Sequence, residues 1–412
     1  MPVFFHLDWA DRCSVLTRSE HLKAVFKDSD KHAKALNNNS GYLMSRILGQ
    51  CVGLVSGNDW RELRKVIEVP FQHKVTDTYL LNVQHQVKQY LKDLKAGKNM
   101  SVGLLDPALD MKMLPFWIVA EIIYGKLTPE MVDKLKELAP IREELFLHVI
   151  RGGLSRFRLS RYLPTRANST LATFKQRWSS FNECAHEHAR LKGMDVPIIP
   201  MFEAVYASKI SFEQLYQTLD ESLYANLDVT TGALSWNLVF LAANQSVQEE
   251  LRDEINRNIH DFDSYIGKSS TLLAFCIMES SRLKPLAAFS VPQAAPTDRI
   301  VDGFRIPAGT NFVVDSYSLN IHHEFWGSDA ESYRPGRWLE LSASNLRYHF
   351  WRFGFGPRQC MGKYIADAII RVLLVELLTT YRLELHNEEE AWQRDLNSWI
   401  THPQTLLKCI PN

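Results

Sequence analysis

Toward the C-terminus a lone cysteine stands among glycines and an arginine, in Phe353-Gly354-Phe355-Gly356-Pro357-Arg358-Gln359-Cys360-Met361-Gly362, and an amphipathic helical pattern follows at once. A cysteine at a helix entrance has its thiolate favoured by the helix dipole and by free backbone N–H groups, which suits metal ligation or nucleophilic attack. No partner cysteine, histidine base or Cys-x-x-Cys spacing accompanies Cys360, so zinc and papain-like chemistry have little support. A lone thiolate suits heme iron. Side chains at Gly354, Gly356 or Gly362 would hold the backbone away from a flat macrocycle. The Arg358 fork suits a heme propionate, and N–H groups around Cys360 would hydrogen-bond the sulfur. The competing reading of this loop, taken alone, is a buried structural cysteine beside a glycine-rich turn.

Trp60 and Arg64 fall i, i+4 on one helix face, two donors with no acceptor between them, which a shared anion would explain. Glu279 and Arg282 are spaced i, i+3 in the helical stretch 271–283 and share one face. Such pairs are common on solvated helices and carry little by themselves. Downstream come Tyr333-Arg334-Pro335-Gly336-Arg337-Trp338 and then the cysteine loop.

The complete pattern Phe-x-x-Gly-x-Arg-x-Cys-x-Gly resembles the heme-ligand loop of the cytochrome P450 family, and the Trp-x-x-x-Arg, Glu-x-x-Arg and Pro-x-Arg segments stand in the family's order over nearly the whole chain. The resemblance implies heme b held through the Cys360 thiolate, with Phe353, Gly354 and Gly362 shaping the loop and Trp60, Arg64 and Arg358 binding propionates. It implies that Glu279, Arg282 and Arg337 form a buried charge triad, structural and not catalytic, that fixes the core around the heme. Many members carry an arginine or histidine near Gln293, where this chain offers an amide. Ala287, Ala288 and Phe289 fall where the family contacts substrate, implying an apolar, aromatic-tolerant pocket.

One segment departs from the family. Residues 225–232, Ala-Asn-Leu-Asp-Val-Thr-Thr-Gly, are polar in the middle of a long helical stretch. They resemble the oxygen-activation segment, in which an acid and an alcohol help deliver protons to dioxygen so that the O–O bond breaks heterolytically. Registered on Asp228, the segment has Asn226 at the usual glycine and Val229 at the usual threonine, with Thr230 one place late. A valine cannot donate a proton. Thr230 is rotated by about 100° from position 229, so it substitutes only if the helix bulges or a water intervenes. Asp228 is the better proton relay, with Thr230 beside it. Hydroxylation therefore leads, oxidative ring closure or coupling without oxygen insertion follows, and a heme sensor or carrier that no longer turns over is the third reading.

The elements that must hold these residues are legible in outline. Ser211 with Gln214 has capping-box form, and no proline interrupts the helical pattern over 211–244, about 50 Å long. Thr128-Pro129-Glu130 is a helix start, and Ser246 with Glu249 repeats the capping-box form. Ile300-Val301, Asp302-Gly303 and Phe304-Arg305-Ile306 read as a hairpin, with a further strand over 310–314. Residues 364–380 are apolar on most faces and belong in the core. The expected fold is mainly α with small β-sheets. By the resemblance it is the P450 fold, with a long central helix over the heme and the cysteine loop beneath.

Composition agrees without deciding. The 412 residues are 46% hydrophobic and 23% charged, enough for a large core, and no linker, repeat or low-complexity run divides them, so residues 1–412 read as one domain. A formal net charge of zero argues against a nucleic-acid partner. The cysteines lack framework spacing and read as reduced and intracellular. Cys184, His186 and His188 read as a solvated helix rather than a metal cluster. No stretch suits a membrane span or signal peptide, so the chain is expected to be soluble and monomeric. The early position of Trp60 leads us to expect that an anchor and first helix lie upstream, as in members tethered to the cytosolic face of the endoplasmic reticulum, and fungal secondary-metabolism members are the ones it resembles. The partners implied are an apolar small-molecule substrate, dioxygen and an NADPH-dependent reductase.

Overall fold

The computed structural model describes residues 4–6, 12–34, 41–97, 100–393, 400 and 402–412. Its organising element is the helical run over 212–243. Ser211 Oγ accepts the Gln214 N–H at 3.1 Å while Gln214 Oε1 accepts the Ser211 N–H at 2.8 Å, closing the capping box that starts it. The run is α-helical over Phe212–Asp220, passes through a π turn at Glu221–Ala225, and resumes as α-helix over Asn226–Ala243. Leu234, Trp236, Leu238, Val239 and Leu241 are all buried, so packing surrounds its second half on every face.

The bulge required if Thr230 is to reach position 229's direction exists, but it lies upstream. From Asn226 onward the helix is regular, so Asp228, Val229 and Thr230 turn together and keep their mutual angles. The π turn coincides with a row of polar side chains that hold a neighbouring loop. Gln217 Oε1, Thr218 Oγ1 and Glu221 Oε2 accept the backbone N–H groups of Gln50, Val52 and Gly53 at 2.7, 3.1 and 3.1 Å. That loop leads directly into the Gly57–Ile67 helix, which carries Trp60 and Arg64.

The Lys363–Thr380 helix after the cysteine loop lies in the core, with Ile369, Val372, Leu373, Val375 and Leu377 buried, and packs against the His73–Lys95 helix. Thr128 Oγ1 caps the Pro129–Arg151 helix by accepting the Met131 N–H. The second predicted capping box is not formed. The Gln245–Asn258 helix starts directly after Asn244, which also ends the preceding helix, so Ser246 already lies inside the first turn.

A five-stranded sheet has the order Phe4–His6, Arg12–Leu16, Asn311–Val314, Gln293–Ala294, Ala33–Lys34. Arg12–Leu16 runs parallel to Asn311–Val314 and the other neighbours are antiparallel. The predicted hairpin pairs Arg299–Val301 with Phe304–Ile306, and Asp302 and Gly303 both take positive φ, 50° and 78°, as a type I′ turn requires. A large apolar core extends from Leu43 to Cys409. Among the described residues, no helix is long and apolar enough to cross a membrane.

Candidate active site

The cysteine loop is held by its own backbone. Cys360 N donates to Phe353 O at 2.8 Å, and Gly356–Arg358 form a single 3-10 turn. Gly354 and Gly356 have φ of 78° and 70°, conformations that L side chains rarely adopt, and a Cβ at Gly356 would stand 2.5 Å from Ser29 Oγ. Gly362 has ordinary φ; a Cβ there would lie 3.9 Å from Cys360 Sγ. Cys360 keeps exposed surface, yet enough protein surrounds its sulfur that desolvation raises the thiol pKa against the pull of the Gly362 N–H. Coordination to a metal cation would supply the missing stabilisation.

Beside this loop, cations converge. Trp60 is buried and the Arg358 guanidinium lies 4.8 Å from its ring centroid. Arg358 donates to the Val55 and His32 carbonyls; burial, then the nearby Arg64 charge, pushes its pKa down to about 10. Arg64 also has acceptors of its own. Its Nε donates to Glu68 Oε2 at 2.6 Å, one helical turn on, and its Nη1 donates to Gln359 O at 3.2 Å, tying this helix to the cysteine loop.

A third cation escaped the sequence reading. Lys34 is the antiparallel partner of Gln293, the position where an arginine or histidine was expected and an amide was found. Burial and then the Arg358 charge pull its ammonium down to about 7, with Glu221 opposing. Gln293 is itself buried, and its Oε1 has no hydrogen-bond partner among the described residues. Nothing near Trp60 in sequence announces Lys34; the strand pairing brings it in, and the Lys34 N–H donates to Ser56 Oγ at 2.8 Å, just before the Trp60 helix. Two desolvated cations, Lys34 depressed by Arg358 and Arg358 by Arg64, fit a group bearing carboxylates, and heme b has two propionates.

Glu279 is the hub of the charge triad. Its Oε1 accepts from Arg282 Nη2 at 2.8 Å and Arg337 Nε at 2.7 Å, and its Oε2 from Arg282 Nε at 3.0 Å. Two further donors were not foreseen: Trp338 Nε1 reaches Oε2 and the Arg334 N–H reaches Oε1, each at 3.1 Å. Glu279 and Arg282 are fully buried and Arg337 is 3% exposed, so every charge here depends on these bonds.

On the long helix, Asp228 and Val229 are half-buried and Thr230 is buried; the side chain of Asn226 lies outside the described residues. Asp228 Oδ1 stands 3.8 Å from Nε2 of His402. Thr231 turns its hydroxyl to the Leu227 and Lys112 carbonyls. Ser316 bonds the Ala287 and Ala288 carbonyls, and Phe289, 53% exposed, bridges to Asp315. Cavities of about 340 and about 180 Å³ open elsewhere, the larger lined by Ile47, Phe174, Trp178, Tyr216, Gln217 and Asp220, the smaller by residues including Tyr42, Arg46 and His148. Both draw on 41–57 and 130–191, which carry no substrate motif.

Two histidine groups do not make metal sites. His186 is buried and stacks on Phe202 at 4.1 Å, so it faces the core rather than solvent, away from exposed Cys184. Glu20, His323 and His349 approach one another, but His323 Nδ1 accepts the Phe325 N–H. That bond places the proton of neutral His323 on Nε2, the atom that would have to ligate.

The cytochrome P450 family model matches residues 4–410. The chain is 54% identical over 400 residues to the cytochrome P450 monooxygenase aclC of Aspergillus oryzae, covering 96% of this chain and 82% of that one. It is 51% identical over 397 residues to the cytochrome P450 monooxygenase asaD of Aspergillus flavus, covering 96% and 77%. The fold matches a zebrafish cytochrome P450 structure with progesterone at a TM-score of 0.79 and 15% identity, over 100% of this chain and 96% of that one. Family model, relatives and fold agree along the length of the chain, which belongs to the cytochrome P450 family of heme-thiolate monooxygenases.

Proposed function

We propose that residues 1–412 form one catalytic domain that oxidises an apolar small molecule in fungal secondary metabolism, using dioxygen and electrons from an NADPH-dependent reductase. The observation that carries the cofactor assignment is the convergence of Lys34, Arg64 and Arg358 beside a cysteine loop whose sulfur is accessible but not ionised by its surroundings. Cys360 would ligate the iron, Trp60, Arg64, Arg358 and Lys34 would hold the propionates, and Phe353, Gly354 and Gly362 would shape the loop. Bound there, the heme supplies the activation of dioxygen. The protein's own part is to hold that loop rigid through the Cys360 to Phe353 bond, to fix the surrounding core through Glu279, Arg282 and Arg337, and to exclude water with the long helix. Asp228 holds and releases protons, with Thr230 next to it, and Val229, Asn226, Ala287, Ala288 and Phe289 contact substrate.

The test is the ferrous carbon monoxide difference spectrum, beside that of Cys360→Ala. A red-shifted thiolate-type Soret band that the substitution abolishes is the expected result; an unshifted band sinks the assignment. Hydroxylation is the leading reaction. Val229 favours a second reading, oxidative ring closure or coupling, because no hydroxyl occupies the usual alcohol position. Labelled dioxygen separates the two: hydroxylation puts the label in the product and ring closure does not.

A further inference from the structure

Asp228 lacks the alcohol that would accompany it at position 229, and the neighbouring hydroxyls do not replace it. Thr230 is buried about 100° around a regular helix, and the Thr231 hydroxyl is committed to the Leu227 and Lys112 carbonyls. What approaches the carboxylate comes from the far end of the chain. His402 Nε2 stands 3.8 Å from Asp228 Oδ1, with the imidazole 13% exposed and the carboxylate 36% exposed. One turn on, a Cβ at Gly232 would lie 3.6 Å from His402 Cε1, and 3.0 and 3.2 Å from Ile400 and Leu286 carbons. The missing side chain at 232 makes room for Ile400 and Leu286, with the His402 ring at van der Waals distance from the same point of the helix, and Leu286 directly precedes the Ala287, Ala288, Phe289 stretch.

The other charged groups near this helix are engaged elsewhere. Lys112 Nζ pairs with Glu143, the Lys284 ammonium lies over the Trp236 and Trp392 rings, and Glu279 is held by its arginines. Among the described residues, His402 is the one cation-capable side chain within 4 Å of Asp228.

We propose that His402 is the positioning residue that holds Asp228 and returns its proton, in place of the alcohol this chain lacks; the proposal rests on the reading of Asp228 as the proton donor. From the ionised pair, imidazolium Nε2 passes its proton to Oδ1 and becomes neutral, and Asp228 then releases that proton toward the reaction. The ring then regains a proton at the same nitrogen from water. Each group loses and regains one proton and no electron moves. A separation of 3.8 Å exceeds a hydrogen bond, so transfer proceeds through closer approach or one bridging water.

The test uses the full heme-loaded chain labelled with ¹³C-histidine in its diamagnetic ferrous carbonyl state, where His402→Gln identifies one resonance among the 14 histidines. Asp228→Asn should lower that resonance's titration midpoint by about one pH unit, a tenfold loss of proton affinity. In parallel, with reductase and NADPH, His402→Gln and His402→Phe should raise peroxide release per NADPH several-fold and steepen its pH dependence, while leaving the carbon monoxide spectrum unchanged. An unmoved midpoint in Asp228→Asn overturns the role of His402, whatever the other variants do. If the midpoint moves but Asp228→Asn turns substrate over normally, the proton role of Asp228 fails and the relay with it. If the midpoint is fixed and Asp228→Asn is slow, the donor reading stands and His402 alone is excluded.

Discussion

Glu221 Oε2 accepts the backbone N–H of Gly53 at 3.1 Å, joining the π turn of the long helix to the loop that feeds Trp60 and Arg64. The side chain is half-buried, and desolvation raises its pKa against the opposing pull of the Cys51 thiol, the Gly53 N–H and Lys34. One side chain thus couples the long helix to the strand that carries Lys34 and to the loop that leads into the Trp60 and Arg64 helix.

That contact leaves no room for a side chain. A Cβ at Gly53 would stand 2.0 Å from Glu221 Oε1, so Gly53→Ala should displace the carboxylate from its donors and cost about 1–3 kcal/mol. Urea denaturation of Gly53→Ala, Glu221→Ala and the double variant checks this. The two effects should be strongly non-additive, because alanine at 221 removes what the new methyl meets.

The triad should behave as a buried network and not as a surface pair. Glu279→Gln leaves Arg282 and Arg337 charged and fully desolvated, and should cost about 3–5 kcal/mol with loss of heme-loaded yield. Arg305→Gln, which breaks the exposed pair with Asp298, should leave the denaturation midpoint where it is.

Lys34 links heme binding to pH. Burial and Arg358 pull the ammonium down to about 7 even with Glu221 nearby, and a propionate there would raise that value. Binding then takes up a proton between about pH 7 and the raised value. Heme affinity should therefore fall as pH rises from 7, with a limiting slope of about tenfold per pH unit. Heme-transfer kinetics to an acceptor globin should show this slope, and Lys34→Met should flatten it while binding more weakly at pH 7.

At the oxygen segment the two hydroxyl positions should differ. Asp228→Asn should slow turnover by about 10²-fold, whereas Thr230→Val, altering a buried residue about 200° further around the helix, should matter far less. Val229→Thr should lower peroxide release per NADPH if a hydroxyl there serves proton delivery; an unchanged ratio would show that the chain does not use that position.

The parts legible from sequence were those set by near neighbours in the chain. The Asp302-Gly303 hairpin, the Ser211–Gln214 capping box and the Glu279 and Arg282 spacing each follow from local backbone chemistry, and each forms in the structure. The failed capping box at Ser246 shows the limit: the motif was present, but the preceding helix ran up to Asn244 and took its place. The π turn was equally hidden, since polar side chains at 217, 218 and 221 mean little until their loop partners are known.

By itself, then, the sequence determined the cysteine loop and the family, because those reside in residue types at short fixed spacings. Only the tertiary structure decided that Lys34 faces Gln293, that Glu221 fills the space above Gly53 and that His402 meets Asp228. Each of those pairs joins distant segments, and which residues meet across such distances is settled by the packing of whole helices and strands, not by any local preference of the chain.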